Sequence, residues 1–289
     1  MRGCAAALCL ILTAAPGDAR AQPATWLVTD EGGGELLLLG SVHYLRQADY
    51  PLPARIDALY RQADTLVMEL DLDDLDARAV QGAFVEAAML PPGSSLETVL
   101  TPQVYALART RSAVLGVDLT LMAGFEPWLV AITLMDLGMN ALGFDASQGV
   151  EQHLLRRAAS DGKPILGLET LEDQIRVFDR LSIQEQQALL LQTLHELDSA
   201  DPAMDELLEA WRDGRLDTLA DELMADFDAF PTLYQHLVID RNTRWVAALQ
   251  QLLADGNRYL VVVGALHLVG EDSVIELLEA RGLSVVALQ

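Results

Sequence analysis

Lysine is almost missing from this chain. Lys163 is the only one in 289 residues, and 19 basic residues in all face 43 acidic ones, for a formal net charge of −24. Such a balance excludes sequence-independent binding of nucleic acid, which needs a cationic face to displace counterions. It equally disfavours an anionic membrane surface as partner. Cysteine is nearly as scarce. Cys4 and Cys9 are the two present, both inside an apolar leader, so the remainder has no disulfide, no thiolate nucleophile and no Cys-based zinc site. The sequence also lacks G-x-x-x-x-G-K-[ST], G-x-G-x-x-G and G-x-S-x-G, which removes the P-loop, the dinucleotide fingerprint and the nucleophile elbow. Half of the residues (51%) are hydrophobic, enough for a sizeable core.

The first residues read as an export address. Met1-Arg2 is a short positive start, Cys4 to Ala15 is an apolar stretch too short to span a bilayer, and Ala19-Arg20-Ala21 fits a small-x-small cleavage site. We therefore expect a signal peptide over 1–21, cleavage after Ala21, and a periplasmic or secreted protein without a membrane anchor in the mature chain. One later stretch, Leu121 to Phe144, is apolar enough to need a membrane check. Glu126, Pro127 and Asp136 interrupt it, and an unpaired carboxylate near mid-bilayer costs about 2.5–3.5 kcal/mol. A buried helix is the better expectation.

The mature chain reads as one α/β domain over 22–289. Short apolar runs at 35–40, 65–69, 164–168, 259–264 and 284–288 predict strands. Helical spacing is found at 53–63, 76–89, 101–115, 125–140, 147–160, 171–179, 182–198, 201–213, 215–226, 229–254 and 271–281. Strand, helix, strand at 35–69 predicts a βαβ unit with parallel strands. The expected fold is a mostly parallel central sheet flanked by helices, with helical insertions near 75–145 and 171–254.

Two of these strands end alike. Leu36-Leu-Leu-Leu-Gly40-Ser-Val-His43 and Val261-Val-Val-Gly264-Ala-Leu-His267 each run from apolar strand into G-x-x-H. With 20 Gly and 5 His present, chance supplies about 0.35 such pairs, so two in matched context point to a site. Open α/β sheets bind ligands at the carboxyl ends of their strands, and a glycine there allows a close backbone approach. Gly40 and Gly264 thus aim His43 and His267 at one edge, where Glu69 also emerges. Two imidazoles and a carboxylate form a plausible three-ligand set for a divalent metal, Mn, Co or Zn, with a position left open for an activated water. Glu169, ending the strand at 164–168, has the same placement; supporting and purely structural roles stand level for it. Thr170 to Asp173 behind it resembles a capping box. His195-Glu196 fails as H-E-x-x-H because residue 199 is Ser. His153 and His236 read as surface or packing residues.

These residues resemble the TraB/PrgY/GumN family, bacterial relatives of the animal Tiki proteins. The marks are Leu39-Gly40-Ser-Val-His43, Val67-Met-Glu69-Leu, Glu126-Pro127-Trp128, Ser147-Gln-Gly149-Val-Glu151, Gly167-Leu-Glu169-Thr170 with Gln174, Asp240-Arg241-Asn242, and Val263-Gly264-Ala-Leu-His267-Leu-Val-Gly270-Glu271. The resemblance implies an erythromycin-esterase/ChaN-like fold and, through the Tiki members, a metal-dependent protease. It assigns metal binding and catalysis to His43, His267 and Glu69, oxyanion stabilisation to Arg241, and orientation of water or substrate to Asn242. The chain departs from Tiki in having no C-terminal membrane helix. Three functions follow as expectations: a metal-dependent hydrolase of a peptide or protein substrate; a metal-free esterase with His43 or His267 as general base; and a binding protein that sequesters a peptide, haem or metal.

Overall fold

The computed structural model describes residues 23–71, 76–197, 200–225 and 227–288. The leader expected over 1–21 and the acidic positions 72–75 lie outside them. Six strands form one sheet: β1 (Thr25–Thr29), β2 (Glu35–Ser41), β3 (Thr65–Met68), β4 (Ile165–Gly167), β5 (Tyr259–Gly264) and β6 (Ser284–Ala287), in the order β4-β3-β5-β2-β1-β6. β4, β3, β5 and β2 pair in parallel. β1 returns antiparallel to β2, and β6 lies antiparallel to β1, so β6 points the same way as β2 and only β1 is reversed. The sheet is therefore mixed, with a parallel centre. β1 is not among the strands expected from the sequence. It forms a hairpin with β2 across the turn whose Gly33 sits at φ +84, a left-handed conformation that favours glycine. β5 is buried along its whole length, as expected of a parallel strand covered on both faces.

The helices are α1 (Ala54–Gln62), α2 (Ala77–Ala87), α3 (Leu96–Val99), α4 (Pro102–Val114), α5 (Pro127–Ala141), α6 (Val150–Asp161) and α7 (Leu171–Asp179). After them come α8 (Ile183–Glu196), α9 (Ala200–Asp213), α10 (Leu216–Met224), α11 (Pro231–Tyr234), α12 (Asp240–Ala254) and α13 (Val274–Glu279). Local chemistry sets several of their ends. Pro102 and Pro127 open α4 and α5, where a missing N–H costs nothing. Thr170 with Asp173 and Ser182 with Glu185 close reciprocal capping boxes on α7 and α8. The helix expected over 229–254 runs without a gap from Pro231 to Ala254 but is not α-helical throughout: a π-helical turn, Gln235–Ile239, joins α11 to α12. Such turns shift the register of everything that follows, here Arg241 and Asn242.

Two apolar cores result. One is the sheet with its covering helices, including the fully buried Trp211 and Trp245. The other lies within the insertion, where Leu96, Val104, Leu119, Val130, Leu134, Leu190 and Leu194 pack α3, α4, α5 and α8 together. Most of the Leu121–Phe144 stretch is thus the helix α5, whose Val130, Ala131 and Leu134 enter this helical core, and no helix among the described residues is long and apolar enough to cross a membrane. Trp211 ties α9 to the sheet by donating from Nε1 to the Gly40 carbonyl at 2.7 Å.

The N-terminus of α6 abuts the first G-x-x-H loop. Val150 donates its N–H to the Val42 carbonyl at 3.1 Å, and a Cβ on Gly149 would come within 2.3 Å of the His43 carbonyl oxygen. That contact is backbone against backbone, so neither side can step aside cheaply. Gly149→Ala is expected to cost about 1–3 kcal/mol, read as a fall in denaturation midpoint. A variant as stable as the parent would show that this junction is not tight.

Candidate active site

The carboxyl ends of β2, β3 and β5 bring His43, Glu69 and His267 around Gly264. A Cβ at that position would lie 3.3 Å from His43 Nε2, 3.4 Å from Glu69 Oε1 and 3.7 Å from His267 Cδ2. The glycine is what lets three side chains meet there. Beside it opens a cleft of about 300 Å³, lined by His43, Glu69, Glu151 and Gln174 and walled by Met68, Leu70, Val80 and Phe84.

The two motif histidines differ in what they can do. His267 is 3% exposed, and both ring nitrogens are engaged. Arg241 Nη1 lies 2.9 Å from Nε2. A guanidinium can only donate, so Nε2 accepts and the ring proton resides on Nδ1, which donates to Asn242 Oδ1 at 2.7 Å. Asn242 is fixed in turn through its Nδ2 and the Asp272 carbonyl, 2.8 Å apart. Burial drives the His267 pKa down, against the pull of Glu69, to about 3. His267 is a neutral, fully satisfied imidazole, its ring centre 4.5 Å from that of Trp245 and tilted 55° to it.

His43 is the open one. Its Nδ1 lies 2.8 Å from Glu151 Oε1 and 60% of its side chain faces the cleft, while Nε2 is left toward Gly264 and Glu69. Attraction to the Glu151 carboxylate, partly opposed by desolvation, raises its pKa to about 9. Glu151 comes from the first turn of α6 and also accepts from the Ser41 hydroxyl, so Ser41 serves to orient it.

Arg241 organises the rest. It is 4% exposed and reaches Glu169 through Nε at 3.0 Å and Nη2 at 2.6 Å, with Glu69 Oε2 on Nη2. Its Cζ stands 4.5 Å from the Trp245 ring centre. Glu69 also accepts from the Gly264 N–H at 2.8 Å. Burial works to raise the Glu69 carboxyl, but Arg241, His267 (itself protonated below about 3), His43 and that N–H outweigh it and bring it down to about 2. Glu169, 1% exposed, takes a further bond from Trp245 Nε1 at 3.3 Å and supports Arg241 from beneath without lining the cleft.

The expected metal set can be tested on these donors. His43 Nε2 and Glu69 face the cleft, but His267 presents no free nitrogen, and the guanidinium of Arg241 holds the point where Glu69, Glu169 and His267 converge. Among the described residues no group of three or more His, Asp or Glu side chains is arranged to hold a metal ion. In this arrangement the residues do not fit the three-ligand set His43, His267 and Glu69. Gly40 packs against Ala265 and Ala24, a structural position. His153 stands by Tyr50, His236 pairs with Asp240 at 3.1 Å, and His195 lies on α8; none lines the cleft. Glu151, Ser41 and Trp245 belong to the site and had been given no role from sequence. The signal for Glu151 was present: an acid in the first turn of a helix that starts at a glycine.

The TraB/PrgY/gumN family pattern matches residues 24–287, and the chain belongs to that family. Among its relatives is "Uncharacterized protein YbaP" of Escherichia coli (strain K12), 28% identical over 257 residues, covering 88% of this chain and 92% of the relative. The Shigella flexneri protein of the same description matches equally. An "Uncharacterized protein" of Treponema pallidum (strain Nichols) is 24% identical over 267 residues, covering 86% of this chain and 78% of the relative. No solved structure matches.

The buried groups give the fold a pH signature. In the unfolded chain His267 takes a proton below about 6.5; in the fold it does so only near 3. The unfolded state then binds more protons across that window, and stability falls as the pH drops through it. Glu69, ionised in the fold down to about 2, adds to the loss below about 4.5. His43 acts oppositely. Its stabilisation is full below about 6.5 and lost as the pH rises through 9. Melting temperature is therefore expected to peak near pH 6.5, with Glu151→Gln flattening the alkaline limb. A midpoint that climbs steadily from pH 6.5 to 9 in scanning calorimetry would contradict the His43–Glu151 pairing.

Proposed function

We propose that this protein is a hydrolase of peptide or ester bonds, with a peptide or protein as the first substrate to test, and that His43 is its proton-transfer group. The observation that carries this reading is the asymmetry of the two G-x-x-H motifs. His43 alone has one nitrogen held by a carboxylate and the other free in a cleft. At neutral pH the imidazolium can donate from Nε2 to a leaving group; once deprotonated it can take a proton from an attacking water. Ser41 is committed to Glu151 and no cysteine lies among the described residues, which favours direct attack by water over a covalent intermediate. The Gly264 edge and the Gln174 amide can position the substrate, and the apolar wall of Val80 and Phe84 suits a bulky side chain next to the scissile bond.

A second reading, a metal-dependent peptidase, has one observation in its favour: a carboxylate on Nδ1 is also how proteins orient a histidine that ligates a metal through Nε2. It requires a ligand set narrower than expected from sequence, His43 with Glu69, and release of Glu69 by Arg241. The leader at 1–21 supports placing the reaction in the periplasm or outside the cell.

Purified protein should be assayed against a peptide library and a panel of esters, before and after exhaustive chelation. We expect turnover to survive chelation. Activity lost on chelation and restored by Mn²⁺, Co²⁺ or Zn²⁺ would reverse the order of the two readings. Tight binding of a peptide or haem without product would sink both and leave a sequestering protein.

A further inference from the structure

A second cavity, of about 380 Å³, lies away from the cleft, between α1 and the sheet. Glu35, Arg258 and Tyr259 at its mouth stand at or beside the starts of β2 and β5, whose far ends carry His43 and His267. The length of β2 puts the two sites about 20 Å apart. Leu27 and Leu37, paired in register on β1 and β2, form its floor together with Leu59 and Leu288. Both are only partly buried although their strands are interior to the sheet, because the helix layer does not close over them.

Arg55 stands in this cavity. Its Nε is buried and meets no hydrogen-bond partner. The second guanidinium at the mouth is different: Arg258 is tied to Asp64, with Nη2 to Oδ1 at 2.8 Å. A buried N–H donor without an acceptor is unfavourable, and native structures leave few of them. A planar guanidinium with a free edge matches a carboxylate in two parallel bonds. Beside it the leucines offer an apolar berth of a size usual for small-molecule sites. Glu35 at the rim is exposed, where solvent screens its charge.

We propose that this cavity binds an amphipathic anion, a carboxylate borne on an unbranched aliphatic tail, with the carboxylate on Arg55 and the tail against Leu27, Leu37 and Leu59. This site is separate from the cleft and does not depend on the hydrolase reading.

The probe is sodium octanoate, titrated into the full chain by calorimetry. Saturable binding is expected, weakened at least about tenfold by Arg55→Gln and unchanged by His43→Ala. Glu35→Gln should tighten it slightly. 1-Octanol, of equal length but uncharged, should bind at least about tenfold more weakly than octanoate. Equal binding of octanol, an unchanged affinity in Arg55→Gln, loss of binding in His43→Ala, or no saturable binding at all would each overturn the proposal. The melting temperature of Arg55→Gln, expected to match the parent, separates a lost contact from a lost fold.

Discussion

Arg241→Ala is expected to be the most destabilising single substitution at this site, costing about 3–5 kcal/mol. The reason is what it leaves behind rather than what it removes. Glu169 is 1% exposed and Glu69 14% exposed, and each would keep a largely buried carboxylate with its main counter-charge gone. His267 would lose the donor to Nε2 as well. A domain stable by about 5–15 kcal/mol would then be near its threshold. Arg241→Lys should recover only part of the loss, because an ammonium cannot make the forked contact to Glu169 while also reaching Glu69 and His267. Arg241→Met combined with Glu169→Gln should be more stable than Arg241→Ala, since it removes a stranded charge together with the cation. Urea denaturation of the four proteins decides the matter. A loss under about 1 kcal/mol for Arg241→Ala, with unfolding still cooperative, would mean that the network is not structural and that Arg241 is kept for chemistry alone.

How far this arrangement can be read from residues depends on the range of the signal. The strand-to-loop passages at Gly40 and Gly264 are local: apolar run, glycine and histidine lie within eight positions, so both sequence and structure place His43 and His267 at one sheet edge. Glu69 is legible for the same reason. β1 was not, because Thr25–Thr29 is a five-residue strand with no distinctive apolar run of its own, and its identity comes from pairing with β2 and β6. The π-helical turn before Arg241 is also silent, since one inserted residue leaves the apolar spacing on either side intact. Least legible is the division of labour between the two histidines. Their motifs are equivalent, and only the neighbours brought by α6 and α12, Glu151 for one and Arg241 with Asn242 for the other, make the first an accessible acid–base group and the second a neutral buried support. The fit of a metal turns on that same point. Residue types give a donor set, but which lone pairs remain free is decided by tertiary contacts.

His43→Ala is expected to lower kcat/KM on any hydrolysed substrate by about 10²–10⁴-fold, and to lower stability at neutral pH as well, because Glu151, 16% exposed, would keep its carboxylate without the paired imidazolium; a melting curve checks that the variant is still folded. The pH profile gives the sharper result. If the deprotonated ring is the base, its population rises with pH until the raised pKa of about 9 is passed, so kcat/KM in the parent should climb roughly tenfold per pH unit up to that point. Glu151→Gln removes the largest cause of the raised value. The remaining desolvation favours the neutral ring, so the limb should move toward the ordinary value of about 6.5 or below. The variant should then lose less activity at pH 6 than at pH 9, where orientation is lost for at most about a twofold gain in the fraction of base. A residue that merely shapes the cleft would reduce the rate by the same factor at every pH. A parent profile already level at pH 7 would remove His43 as the base and leave it only the role of acid, and a Glu151→Gln profile parallel to the parent's would remove it from proton transfer.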